Sequence, residues 1–190
     1  MTRMARRAWF GASAAFVGAL AAPASTEARG RKPYGGSLSM KLPWPLDALD
    51  PHAIDDVLGA LFGPALCDPL FALDPAGRAY TALAAELPER VAQGTRIVLR
   101  PNLLTARGLA LDARDVLWSL ARAARAGAAA LLSPLGKPVP DPKEALAILV
   151  PHADPGVVAQ ARSSPLTAIL PRGYARTRPD GTGAFQADFS

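Results

Sequence analysis

The segment Gly108–Gly127, GLALDARDVLWSLARAARAG, constrains the fold of this chain more than any other. Asp112 stands where a helix N-cap belongs, and Asp115 follows three residues later, where an acidic side chain can return the bond to the cap backbone. Val116, Leu117, Leu120 and Ala124 then form one apolar stripe, and Gly127 supplies a stop. The spacing predicts an amphipathic helix from Asp112 to about Gly127, with its carboxylates occupied in capping. A second segment, Ser39–Arg78, is the opposite in character. Pro43, Pro45 and Pro51 enforce extended or turn geometry, because proline fixes its own φ and disfavours the helix for its predecessor. A helix is expected to begin at Asp55, capped by Asp55 or Asp56, with Val57, Leu58, Leu61 and Phe62 near helical spacing. Gly63-Pro64 is expected to interrupt it, and Asp74-Pro75-Ala76-Gly77 reads as a turn.

The remaining segments are short. Strands are expected at Ser37–Leu42, Thr95–Arg100 and Ala145–Val150, a helical turn at Tyr80–Leu87, a short helix at Asp154–Arg162, and loops at Lys137–Glu144 and Arg172–Thr182. Gly181-Thr182-Gly183 lacks the strand before and helix after that a phosphate-cradling loop requires, so it reads as a turn of small residues. Cys67, the one cysteine in 190 residues, sits in an apolar stretch and reads as a buried, inert thiol. No metal-ligand spacing and no nucleophile elbow is present, so neither a metal centre nor a hydrolase is indicated and no cofactor is expected.

Half of the chain is apolar, which excludes disorder throughout, and 190 residues suffice for one ordinary domain. The net charge of +5 is confined to the head. Setting aside Arg3, Arg6, Arg7, Arg29, Arg31, Lys32 and Glu27 leaves fifteen basic and fifteen acidic residues, so no nucleic-acid surface is indicated. Arg6-Arg7 precede an uncharged run rich in Ala and Gly, followed by Ala22-Pro23-Ala24, which is the order of an export signal of twin-arginine type cleaved after Ala24. General secretory export remains an alternative. So does a membrane anchor, although the uncharged stretch is barely long enough to span and is diluted by Gly, Ser and Pro23. Residues 25–36 read as a flexible lead, and residues 37–190 as the folded part.

The order of these pieces resembles the amino-terminal portion of the family 5 extracellular solute-binding proteins of ABC importers. Leu49-Asp50-Pro51-His52 and Pro69-Leu70 resemble that family's opening, and Leu73-Asp74-x-x-Gly77 with Leu83-Ala84 its next turn. Leu99-Arg100 followed by Gly108–Val116 resembles its L-R…G-x-P-L-T-A-x-D-V pattern, with Ala110 in place of Pro and Asp112 in place of Thr. Asp141-Pro142 through Leu149, Ile169-Leu170-Pro171 and Gly181–Phe185 resemble later elements. The resemblance implies an α/β periplasmic-binding-protein-like fold of type II, here an incomplete first lobe with a mixed sheet and flanking helices. It implies an exported, non-enzymatic binding subunit for a small solute or short peptide, working with an ABC permease in the periplasm. A single-lobe accessory protein without transport activity is the alternative. Position by position, the resemblance assigns ligand contacts to Asp55, Asp56 and Val57. It places Leu135, after Ser133-Pro134, where the family brings an aromatic to the groove.

Overall fold

The computed structural model describes residues 41–187 other than Trp44 and Leu46. The chain divides into two units, Met1–Lys41 and Leu42–Ser190, and apart from Lys41 all described residues belong to the second. The leader, the basic lead and most of the strand expected at Ser37–Leu42 lie outside the described residues.

Helix α1 (Val57–Leu66) opens the unit and leads to a hairpin of β1 (Phe71–Leu73) and β2 (Ala79–Thr81). Strands β3 (Glu89–Val91) and β4 (Gly94–Val98) follow, then α2 (Ala113–Ala124) and the short α3 (Ala129–Leu132). Strands β5 (Val139–Pro140) and β6 (Ala147–Val150) and helix α4 (Pro155–Ala161) complete the order. The larger sheet runs β3-β4-β6-β5. Among the described residues every ladder is antiparallel; the mixed pairing in the expectation is not seen in this part. Helix α2 lies against β5 and β6, and α4 against the hairpin. The core between them is built on Phe71, Ile97, Leu99, Val116, Leu120, Ile148 and Val150, all nearly inaccessible.

Helix α2 forms as its local signals dictate. Asp112 accepts hydrogen bonds from the backbone N–H groups of Arg114 (2.8 Å) and Asp115 (3.0 Å), while Asp115 Oδ2 accepts from the Asp112 N–H at 3.0 Å. This is the reciprocal capping box that the spacing predicts. Asp115 does more than cap. Its Oδ1 accepts from the Arg172 backbone N–H (3.0 Å) and Arg172 Nε (2.9 Å), which pins the irregular strap Ala168–Arg172 to the helix. Ser119, one turn on and fully buried, donates to the Ala168 carbonyl and accepts from the Leu170 N–H, both at 3.0 Å. Asp112→Ala is expected to lower stability by about 1 kcal/mol, the usual value of such a cap. A urea denaturation midpoint unchanged from wild type would contradict it.

Three expectations are corrected. Tyr80–Leu87 is not a helical turn: Ala79–Thr81 is a strand whose register sets Tyr80 opposite Ala72. The turn Asp74–Gly77 brings β2 back onto β1, with Asp74 Oδ1 accepting from the N–H groups of Ala76 and Arg78, both at 2.9 Å, and Gly77 at φ 77°. Once Leu70 and Phe71 are buried, hairpin pairing outweighs the helical spacing. Gly63-Pro64 does not break α1. Proline deprives only the Ala60 carbonyl of a partner, and Ala60 is exposed, so water can supply one. The Pro-rich loop at Lys137–Glu144 contains the two-residue edge strand β5, paired to Ile148 and Leu149; proline is tolerated there because an edge strand need not donate on its outer side. The thiol of Cys67 is buried as expected, and burial pushes it up to about 12.

Candidate functional site

The surface around the start of α1 is assembled by the residues Leu49–Val57. Asp56 is the N-cap: its Oδ1 accepts from the N–H groups of Leu58 and Gly59, both at 3.0 Å, and its Oδ2 from the Asp50 N–H at 2.7 Å. The helix packs closely onto the preceding loop, because a Cβ at Gly59 would fall 2.3 Å from the Asp50 carbonyl oxygen. Its inner face, Leu58, Gly59, Gly63 and Leu66, is buried. Its outer face is also apolar, yet Val57 is 47% exposed and Leu61 56%, and Ile54, in the turn just before the helix, is 75% exposed. Val57, Leu61 and exposed Pro64, spaced four and three apart, make one stripe along the helix. Asp55 stands exposed beside the stripe, with no side-chain hydrogen bond or ion pair among the described residues.

Beneath this surface lies a polar latch. Asp50 accepts both arms of Arg122, Nη1 to Oδ1 at 2.8 Å and Nη2 to Oδ2 at 2.7 Å, and Asp50 Oδ1 also accepts the His52 N–H at 3.1 Å. Arg122 Nη1 also donates to His52 Nδ1 at 2.9 Å, while His52 Nε2–H donates to the Ala168 carbonyl at 2.8 Å. These two contacts fix a neutral imidazole with its proton on Nε2. Tyr174 covers the guanidinium, its ring centroid 5.8 Å away, and donates its hydroxyl to the Leu49 carbonyl at 3.0 Å. Burial works to raise the Asp50 carboxyl, but the Arg122 fork and the His52 N–H outweigh it and hold it below the ordinary value. His52 is held below its ordinary value, chiefly by burial and further by the Arg122 charge.

A pH dependence follows. An unfolded histidine protonates near pH 6.5, whereas folded His52 refuses the proton, so the unfolded chain gains protons first and stability falls as the pH drops through about 6.5. The Asp50 contribution is lost only in a more acid window, as the pH falls through and below the ordinary aspartate range. Between about pH 7.5 and 5.5 the denaturation midpoint is expected to fall, with a slope no steeper than about 1.4 kcal/mol per pH unit for one proton. His52→Gln should flatten that slope. An equally steep profile in the variant would assign the effect to another group.

The Gly181-Thr182-Gly183 turn closes the other end of α1. The Gly183 and Phe185 N–H groups donate to the Leu66 (2.9 Å) and Ala65 (3.2 Å) carbonyls, and Thr182 Oγ1 accepts from the Asp68 N–H at 3.2 Å. A Cβ at Gly181 or Gly183 would lie 2.2 or 2.4 Å from those carbonyl oxygens, so the approach admits only glycine. The turn of small residues therefore caps a helix C-terminus.

Asp55, Asp56 and Val57 come together at the N-terminus of α1, with Asp56 committed to capping and the other two presented to solvent. Leu135 does not join them. It is 1% exposed within the main core, where a 3-10 turn at Ser133–Leu135 drives it inward, and it offers a groove no surface. Arg122, Tyr174 and Arg162 were not singled out by sequence reasoning. The partners of the first two lie 72 and 125 residues away in sequence, so no local signal marks them. Among the described residues no group of three or more His, Cys, Asp or Glu is placed to hold a metal ion, and no helix is long and apolar enough to cross a membrane.

No family model matches the sequence, and no curated protein matches it. Solved structures do match. NikA from Brucella suis in complex with Fe(III)-EDTA is 18% identical with a TM-score of 0.62, covering 77% of this chain and 32% of that one. The nickel ABC transporter structure from Bacillus halodurans is 24% identical with a TM-score of 0.60, covering 76% and 31%. Listeria monocytogenes OppA bound to peptide is 17% identical with a TM-score of 0.52, covering 68% and 29%. The chain thus spans about a third of the length of these structures. The likeness is one of fold: this α/β unit has the architecture of part of a family 5 solute-binding protein, as the ordered motifs imply.

Proposed function

We propose that the chain is the substrate-binding component of an ABC-type importer, carrying first-lobe elements, and that the outer face of α1 is one wall of its ligand groove. The observation that carries this reading is that stripe. A helix apolar all round is normally buried on every side, whereas Val57 and Leu61 of α1 are exposed, with exposed Ile54 and the Asp55 carboxylate just before the helix. Apolar side chains of a short peptide or similar small solute fit the stripe, and Asp55 suits a cationic amino group. Binding proteins of this kind close two lobes about a hinge and present the closed form to the permease. One wall alone encloses little of a ligand, since full sites bury about 70–90% of a small molecule's surface. Weak binding is therefore expected from the chain itself. Under this reading residues 1–24 are the export leader, 25–36 a lead, 37–190 the solute-binding part, and the mature protein is periplasmic.

Calorimetric titration of the purified chain with pooled di- to pentapeptides should show weak, saturable binding that Leu61→Glu abolishes and Asp55→Lys reduces. Binding unaffected by either variant would overturn the assignment. The same exposed stripe also suits a protein partner without transport. Absence of peptide binding, together with a stable complex lost in Leu61→Glu, would favour that accessory role.

A further inference from the structure

Away from α1, a cleft of about 660 Å³ opens between α2, the Gly136–Pro140 segment and the end of α4. Its volume lies within the range of small-molecule sites, roughly 300–1,000 Å³. Leu117, Ala121 and Val139 give it apolar walls, and no acidic side chain lines it. Arg162, the residue that ends α4, reaches it from inside the core and is 1% exposed. None of its three guanidinium nitrogens has a hydrogen-bond partner among the described residues. Burial alone lowers its pKa to about 10, which leaves it charged at neutral pH. Arg125 and Lys137 add two further, exposed cations to the lining.

A buried guanidinium with all its donors idle is a rare arrangement, because buried charges are otherwise paired and buried polar groups bonded. Its planar fork matches a carboxylate in a bidentate pair. The apolar walls would take a hydrocarbon body attached to that carboxylate. We infer that this cleft is a second binding site, separate from the α1 face, for an organic carboxylate with an apolar body, held through Arg162. A free aliphatic acid and the C-terminus of a peptide both present this chemistry, and the two sources are separable by experiment.

Octanoate and N-acetyl-leucine represent the two sources, each tested beside its primary amide by thermal shift and calorimetry on the full chain. At least one acid should raise the wild-type midpoint, saturably, while its amide does not. Which acid does so identifies the source. Arg162→Met removes an unpaired buried charge, so its unliganded midpoint should equal or exceed that of wild type, whereas its affinity for the acid should fall roughly 10- to 100-fold, the range of a charge-assisted hydrogen bond. Ala121→Phe fills the cleft while keeping the Arg162 guanidinium and should abolish the response. No saturable shift with either acid, an amide bound as tightly as its acid, or undiminished affinity in Arg162→Met would overturn the proposal. A lowered unliganded midpoint in Arg162→Met would also overturn it, by showing that the guanidinium already has a partner within the protein.

Discussion

Replacing Arg122 by methionine is expected to cost about 3–5 kcal/mol of stability, the range for breaking a buried ion pair from one side. The size comes from what is left behind. Asp50, 8% exposed, would lose both of its fork bonds, and the buried His52 Nδ1 would lose its donor. Methionine nearly preserves the volume, so the loss would report on charge and hydrogen bonding more than on packing. Arg122→Lys keeps the charge without the fork and should fall in between. Pairing Arg122→Met with Asp50→Asn should recover part of the loss, because the second change removes a carboxylate left with only the more distant Arg176, 3.9 Å away. Denaturant titration of the four proteins measures this directly. A loss below about 1 kcal/mol in Arg122→Met would show that the pair behaves as a solvent-screened surface bridge.

Leu120→Ala should cost about 2–5 kcal/mol, the range for truncating a large core side chain and leaving a cavity. Leu120 is 1% exposed, on the inner side of α2 within the main core. Leu117, three residues earlier on the same helix, is only partly buried, so Leu117→Ala should cost clearly less. The comparison tests the register of the helix as well as its burial. Equal losses from the two substitutions would mean that α2 is rotated from the position described.

Helix α2 was legible in the sequence because its instructions are local: a capping box at Asp112 and Asp115 and a stripe through Val116 and Leu120 need nothing beyond the segment itself. The same holds for the Asp56 cap and the Asp74 turn. Strand β2 was not legible, because three residues with helical spacing become a strand only when β1 lies beside them. The role of Leu-Asp-Pro-His was half legible. Its place before a helix could be read, but its work, gripping Arg122 and through His52 the Ala168 strap, depends on residues 72 and 116 positions away. Leu135 misled because a leucine after Ser-Pro carries no sign of facing inward. Arg162 was hidden for the converse reason: a basic residue ending a helix is ordinarily solvated, and nothing local reveals that the core closes over it.

Methyl-detected NMR tests the outer face of α1 as the ligand wall most directly. With Ile, Leu and Val methyl groups labelled, the full chain would be titrated with the pooled di- to pentapeptides. The account predicts progressive shifts at Ile54, Val57 and Leu61, with weak affinity, and none at the buried methyls of Leu120 or Leu135. Peptide-dependent shifts that leave these three residues unmoved, or no shifts at all up to millimolar peptide, would contradict the assignment of this face as the ligand wall.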